Sequence, residues 1–194
     1  MFAPRQGQSA QKIGDLISPQ TAHTTNILGV DPGLTRCGYA ILRVVGKTDV
    51  SVVSLGVLRT KPECDLPGRL AEIGREIDDL LDEFKPSALA IERIFFQSNV
   101  RTAMSVGQVS GVVMSAASRH GVEVVQYSPS EVKLAVAGWG GADKAQVQKM
   151  VKQRLKLNSI PKPADAADAA AIALCHIASS PFTNTLAESS RSKK

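Results

Sequence analysis

Three strand-like segments that follow one another with very little chain between them are the strongest constraint on the fold. The segments ILGVD (27–31), GYAILRVV (38–45) and VSVVSLGVLRT (50–60) are apolar and rich in β-branched residues, a composition typical of β-strands. The connections PGLTRC and GKTD are too short for a crossover between parallel strands. We therefore expect hairpins, and with them an antiparallel meander of three strands.

The hydrophobic period changes after this meander. Apolar residues recur at helical spacing over 66–84, with acidic residues between them, until Pro86 ends the pattern. A buried strand is predicted at 88–94, a second helix at 99–119 and a fifth strand at 122–127. Because a helix precedes each of the last two strands, strands one, four and five are expected to lie parallel in one sheet.

Three further helices follow the fifth strand. Ser128 and Glu131 have the spacing of a capping box at the start of the first, and the Gly-rich stretch 138–141 ends it. Asp143 is a candidate cap for the next helix, and the alanine-rich helix 164–179 is suited to lie close against a sheet. The sequence thus predicts an α/β fold, with a mixed five-stranded sheet flanked by helices. The sheet combines an antiparallel three-strand meander with two parallel crossover strands.

The length of 194 residues fits one domain. We expect a folded domain over 26–181, preceded by a disordered extension at 1–25 and followed by a disordered tail at 182–194, both rich in polar residues without periodicity. No apolar run approaches the ~20 residues of a membrane helix, and no signal-like segment opens the chain. Three scattered cysteines suit a reducing compartment. We therefore expect a cytoplasmic protein without a membrane partner.

Basic residues are concentrated in one part of the chain. Lys and Arg exceed Asp and Glu by five overall, whereas 143–162 holds six Lys or Arg and one acid. Such a surface suits a polyanion such as a nucleic acid, and a solvated helix face fits the same pattern. The six basic residues are Lys144, Lys149, Lys152, Arg154, Lys156 and Lys162.

Two acidic residues close buried strands that should be parallel. Asp31 ends the first strand and Glu92 lies at the end of the fourth. Ligands bind at the carboxyl edge of such sheets, and neighbouring strands lie about 4.8 Å apart, so the two carboxylates are expected to meet. Each also has a structural reading, because Asp31 could form a turn into Pro32-Gly33 and Glu92 could pair with an arginine.

The last helix adds two more carboxylates. Asp165 and Asp168 stand three residues apart and therefore share one helix face. Asp165 could instead serve as a helix cap or as a first-turn acid that the helix dipole favours. This explanation fits Asp168 less well, because Asp168 has no basic residue three or four positions further on to pair with. Four acids at one edge would repel one another unless cations neutralised them. Oxygen ligands suit Mg²⁺ or Mn²⁺, and two such ions would support phosphoryl transfer.

Three motifs, in their order and spacing, resemble the RuvC family of bacterial Holliday-junction endonucleases. They are VDPGLTRCGYAIL, AIERIFF and PADAADAAAIALCH, and the resemblance extends over about 27–180. It implies a ribonuclease H-like fold and a Mg²⁺-dependent nuclease that resolves four-way DNA junctions in recombination and repair. The family acts as a homodimer, makes paired symmetric nicks in strands of like polarity, and works with the RuvA–RuvB branch-migration complex.

The resemblance also implies roles for single residues. Some relatives carry histidine at the position of Asp165. The family's base-stacking aromatic falls on Phe95, and its substrate-binding lysines fall on Lys133 and Lys144. Solvated surface charge is the alternative for either lysine. The four catalytic, metal-binding acids fall on Asp31, Glu92, Asp165 and Asp168.

Two further DNA contacts are predicted from the residues themselves. Arg101 belongs to a polar run that follows Phe95 and is placed to touch the DNA backbone. Trp139 interrupts the Gly-rich stretch 138–141, where it could stack on a base or anchor the loop. His176, eight residues after Asp168, is interpreted as a packed histidine rather than a ligand.

Three other functions are alternatives to the junction nuclease. The pattern D-x-G-x-T-x-x-G also resembles the phosphate loop of the actin/hexokinase ATPases, which need two domains and more chain than is present. A nucleic-acid-binding module without catalysis would be expected to lack at least one of the four acids. A related enzyme that processes RNA is the third alternative.

Overall fold

A computed structural model of the chain describes residues 24–46, 49–94 and 100–180, with side chains from 103 onward in the last range. Residues 1–23 and 181–194, which hold most of the predicted extension and tail, lie outside it. The elements in chain order are β1 (Thr24–Asp31), β2 (Arg36–Val45), β3 (Asp49–Arg59), α1 (Leu66–Phe84), β4 (Ala88–Glu92), α2 (Val100–Arg119), β5 (Glu123–Tyr127), α3 (Pro129–Ala137), α4 (Lys144–Arg154) and α5 (Ala164–Ser179).

The five strands form one mixed sheet in the order β3-β2-β1-β4-β5. The first three strands are antiparallel neighbours, as the short connections predicted, and Asp31 lies opposite Gly38. β1 is parallel to β4, with Val30 opposite Ile91, and β4 is parallel to β5. The predicted fold class is therefore confirmed, and it places the carboxyl ends of β1 and β4 side by side.

Several strand boundaries differ from the prediction, by up to three residues. β1 begins at Thr24, three residues before the predicted start, because its first residues continue the pairing with the end of β2. β4 ends at Glu92 rather than at 94. Arg93 is exposed, and a Cβ on Gly107 of α2 would lie 3.7 Å from the side chain of Ile94. Ile94 therefore belongs to the packing of α2 rather than to the sheet.

Alternation along the strands divides the core into two layers. Leu28 and Val30 of β1, with Leu89 and Ile91 of β4, pack on the side of α1 and α2. The intervening positions pack against α3, α4 and α5. Because side chains alternate between the two faces of a sheet, the residues that end β1 and β4, Asp31 and Glu92, fall on the side of α5.

Helix α5 lies unusually close to the sheet, as its alanine content predicted. Ten of its residues are buried. A Cβ on Gly29 of β1 would lie 2.2 Å from the carbonyl oxygen of Ala169, and one on Gly38 of β2 would lie 2.1 Å from that of Asp165. The two glycines therefore admit the helix backbone and fix the height of its first turn at the carboxyl edge. Among the described helices, none is long and apolar enough to cross a membrane.

Candidate active site

The carboxylates of Asp31 and Glu92 meet at the edge of the sheet. β1 and β4 are hydrogen-bonded neighbours up to the pair Val30 and Ile91, so the next residue of each strand is adjacent to the other. Both carboxyl side chains are partly buried. Within the described part of the chain neither makes a hydrogen bond or an ion pair, and the two structural alternatives, a turn at Asp31 and an arginine partner for Glu92, are not seen.

Asp165 and Asp168 complete an acidic cluster from the first turns of α5. The cap of this helix is Pro163, without a side-chain hydrogen bond, so Asp165 is not the cap. It does lie in the first turn of α5, where the helix dipole favours an acid. Asp168 lies one turn further along the same face and interacts electrostatically with both Asp31 and Glu92. The structure therefore brings all four predicted acids to one place.

Burial and like charge change the proton affinity of this cluster. Burial, and then the negative charges of Asp168, Glu92 and Asp165, raise the pKa of Asp31 to about 7. Burial and Asp168 also raise the pKa of Glu92. The cluster is thus short of positive charge, which is the condition under which a buried acidic site takes up a cation.

Two basic side chains from other elements supply part of that charge. Lys144 opens α4, which Asp143 caps through a capping box with Gln146, and its Nζ lies 2.7 Å from Oδ2 of Asp168. This hydrogen bond raises the pKa of Lys144. Asp168 has no partner on its own helix, as the sequence indicated, but a lysine 24 positions earlier in the chain reaches it.

The partner of Asp165 is Arg36, which sequence analysis did not single out. The guanidinium Nε donates to Oδ2 of Asp165 at 2.8 Å, and Nη2 donates to the same oxygen. One signal was available, because Arg36 stands two residues before Gly38, which lies opposite Asp31. Strand alternation therefore places Arg36 on the acidic side of the sheet.

Lys133 and Trp139 lie on the neighbouring α3 and the loop that follows it. Lys133 is half-buried in α3 and acts electrostatically on Glu92. The Trp139 side chain is 54% exposed, and its ring covers the backbone of Gly141. The ring thus contacts its own loop while most of it stays open to a ligand.

The remaining residues singled out in the sequence are Phe95, Arg101 and His176. Phe95 lies outside the described residues. Arg101 falls in the first turn of α2, but its side chain is not among those described. His176 is buried, and its Nδ1 lies 3.0 Å from the hydroxyl of Tyr127, so it is a packed histidine as predicted.

The donor set of the cluster fits a hard divalent cation. Its four side chains offer only carboxylate oxygens, which suit Mg²⁺ or Mn²⁺ rather than zinc. Within residues 24–46, 49–94 and 100–180, no three His, Cys, Asp or Glu side chains are arranged to hold a metal ion as they stand. Asp165 and Asp168 direct one oxygen each to Arg36 and Lys144 instead, so a metal ion would take the other oxygen of each carboxylate or displace the basic partner.

Comparison with known proteins identifies the family. A family model described as "Crossover junction endodeoxyribonuclease RuvC" matches residues 27–176. The RuvC protein of Streptomyces griseus is 49% identical over 160 residues, which cover 82% of this chain and 78% of the relative. That of Natranaerobius thermophilus is 48% identical over 150 residues, covering 77% and 92%.

Solved structures agree with this match. Thermus thermophilus RuvC in complex with a Holliday junction substrate superposes with a TM-score of 0.76 at 35% identity, covering 84% of this chain and 96% of that one. The yeast mitochondrial Holliday junction resolvase Ydc2, at 15% identity and a TM-score of 0.60, shares the fold. The mixed sheet with acids at its carboxyl edge is therefore that of a ribonuclease H-like nuclease. The chain belongs to the RuvC family of crossover junction endodeoxyribonucleases.

Proposed function

We propose that this protein resolves Holliday junctions during recombination and DNA repair, by paired symmetric nicks in strands of like polarity. The observation that supports this most directly is the meeting of four carboxylates at the carboxyl edge of β1 and β4 in a chain of the RuvC family. In each nick, water attacks the phosphorus in line and the P–O3′ bond breaks. The water oxygen stays on the 5′-phosphate and the leaving oxygen takes up a proton as the 3′-hydroxyl, which are ends that a ligase can rejoin.

The four acids are proposed to hold two Mg²⁺ ions, for which Mn²⁺ would substitute. The ligands would be Asp31, Glu92, Asp165 and Asp168. When bound, the ions would supply the Lewis acidity that activates water and stabilises the charge of the leaving oxygen. The pairing of β1 with β4 holds the partly buried carboxylates of Asp31 and Glu92 close together, where their like charges repel. Bound cations would relieve this repulsion.

The DNA contacts are proposed to surround this edge. Lys144 would exchange its bond to Asp168 for one to a phosphate, since the two anions compete for the same ammonium group. Lys133 would contact phosphate from α3, and Arg101 would contact the backbone. Phe95 would stack on bases near the crossover, and Trp139 on an unpaired base.

Two paired nicks require two active sites, and so a second copy of this chain. One acidic cluster serves one strand, so a second copy of the chain would supply the other nick. Helix α2 is a candidate for the contact, because Met104 is 60% exposed and a Cβ on Gly111 would meet nothing within 4 Å. Action in the cytoplasm with the RuvA–RuvB complex is proposed on the family alone.

Product analysis tests this proposal. A mobile four-way junction, labelled on each strand in turn, is incubated with the protein and Mg²⁺, and the products are treated with DNA ligase. We expect nicks at matching positions on two strands of like polarity and full conversion to ligated duplex. Nicks paired on strands of opposite polarity, or ends that a ligase does not join, would contradict the proposal.

Lys144→Gln is expected to weaken junction binding, because the side chain loses its charge beside both Asp168 and the DNA. With Ca²⁺ in place of Mg²⁺, the Kd should rise roughly 3–10-fold and the slope of log K against log salt should fall by about one. The control is Lys61→Gln, an exposed lysine between β3 and α1. Equal effects of both variants would show that Lys144 contributes only net charge.

Trp139→Ala is expected to raise the junction Kd by roughly 5–100-fold, the range for loss of one base–aromatic stack. Leu134→Ala is the matched control, because Leu134 of α3 is similarly exposed at 57% but has no aromatic face. The melting temperature of both variants should stay close to that of the parent protein. A large fall in the melting temperature of Trp139→Ala, with an unchanged Kd, would identify the ring as a loop anchor instead.

A further inference from the structure

The ion pair between Arg36 and Asp165 has no part in the function proposed so far. Two guanidinium nitrogens of Arg36, Nε and Nη2, donate to the same oxygen of Asp165, Oδ2. The other oxygen, Oδ1, has no hydrogen bond within the described part of the chain. Arg36 therefore occupies one side of the carboxylate and leaves the other side available.

The fold places Arg36 at this carboxylate from a rigid element. Arg36 is the first residue of β2, and Gly38 follows on the same face of that strand. The backbone of Asp165 lies directly over Gly38, with its carbonyl oxygen 2.1 Å from an added Cβ. The start of β2 thus contacts Asp165 twice, through its backbone at Gly38 and through its side chain at Arg36.

Stability alone does not explain this pair. The side chain of Arg36 is 42% exposed and that of Asp165 is 27% exposed, and ion pairs at such exposure contribute little to folding. Two guanidinium donors on one oxygen do, however, fix where that oxygen lies relative to the planar guanidinium, which the point charge of a lysine does less well. The geometry therefore suits control of orientation.

We propose that Arg36 is a positioning residue for Asp165. It holds Oδ2 and presents Oδ1 as the single oxygen that Asp165 contributes to the acidic cluster. This inference rests on the proposed function, in which Asp165 is a ligand of a divalent cation. Arg36 acts through Asp165 and has no contact of its own with the ion or the substrate.

Mn²⁺ binding to the DNA-free protein tests the proposal without reference to cleavage. Arg36→Met should raise the Mn²⁺ concentration at half-saturation about threefold or more, because the carboxylate is no longer oriented. Charge alone predicts the opposite, since removal of a cation beside the site favours a second cation. Arg36→Lys should fall between the parent protein and Arg36→Met, although its charge is unchanged.

Two further variants separate positioning from a general effect. Arg59→Met is the matched control, because Arg59 is the exposed partner of Arg36 on the neighbouring strand β3 and should leave Mn²⁺ binding unchanged. In an Asp165→Asn background, Arg36→Met should no longer weaken Mn²⁺ binding, since residues that act as one unit are not additive.

The rate of junction cleavage is the last measurement that tests the proposal. Arg36→Met should slow single-turnover cleavage about tenfold or more at saturating junction, while the junction Kd in Ca²⁺ stays within about threefold. Tighter Mn²⁺ binding by Arg36→Met would overturn the proposal, and so would a raised Kd with an unchanged rate, which would make Arg36 a phosphate ligand. Absence of Mn²⁺ binding and junction cleavage by the parent protein would instead contradict the proposed function.

Discussion

Asp31→Asn is expected to abolish junction cleavage, slowing it roughly 10³-fold or more because the amide no longer supplies a charged ligand to the ions. Junction binding should stay within about threefold of the parent protein, because binding depends on the basic residues around the edge. Electrophoretic mobility of the junction complex in Ca²⁺ and cleavage in Mg²⁺ measure the two effects separately. Loss of both activities in a folded protein would show that Asp31 has a structural role.

The same substitution is expected to stabilise the protein when no metal is present. Because the folded state raises the pKa of Asp31 from 3.8 to about 7, the folded protein binds the proton more tightly than the unfolded chain does. Stability is therefore lost as the pH rises from about 4 to about 7, by at most about 4 kcal/mol. Asparagine does not titrate, so the variant escapes this loss.

Urea denaturation in EDTA checks the sign of this effect. At pH 8, Asp31→Asn should have a larger free energy of unfolding than the parent protein, and near pH 4 the difference should disappear. Asp79→Asn, an exposed carboxylate on α1, should show neither effect. An Asp31→Asn protein that is less stable at pH 8 would contradict the account of a repulsive acidic cluster.

Gly29→Ala is expected to destabilise the protein strongly, because β1 and α5 leave no room for a methyl group there. The new Cβ would lie 2.2 Å from the carbonyl oxygen of Ala169 and 2.8 Å from the Cβ of Ala173, and a backbone atom does not move aside as a side chain does. The free energy of unfolding should fall by about 3 kcal/mol or more. Urea denaturation of the purified variant measures it, with the amount of folded protein obtained as a second readout.

Gly74→Ala is the matched control for this prediction. In α1 the added Cβ would meet only the side chain of Val112, at 3.3 Å, and alanine favours a helix by about 1 kcal/mol over glycine. We therefore expect its stability to lie within about 1 kcal/mol of the parent protein. Similar losses in both variants would show that the close approach of α5 to β1 is not the cause.

The order and pairing of the strands and most of the acidic cluster were predictable, because they depend on local features of the sequence. Short connections predict the meander, and helices before strands four and five predict the parallel pairs. Asp31 and Glu92 each follow one member of the paired residues Val30 and Ile91, which face α1 and α2, so alternation places both acids on the side of α5. Proximity of the cluster thus follows from the fold class and the strand ends.

The basic side chains that reach the acidic cluster were less predictable, because their contacts depend on long-range packing. Whether Lys144 reaches Asp168 depends on how α4 lies against α5, and whether Arg36 reaches Asp165 depends on the closeness of α5 to β2. No spacing in the sequence encodes either distance. The end of β4 was predicted two residues too late, because the apolar Ile94 continues the strand pattern but packs near α2.

The most direct test of the central claim compares a labelled synthetic four-way junction with a linear duplex of matched sequence, in Mg²⁺ and in EDTA. The account predicts paired nicks on the junction alone, and their complete loss in EDTA. Tight binding of the junction without cleavage in Mg²⁺ or Mn²⁺ would contradict the assignment of the acidic cluster as a nuclease site. Equal cleavage of junction and duplex would contradict the specificity for four-way junctions.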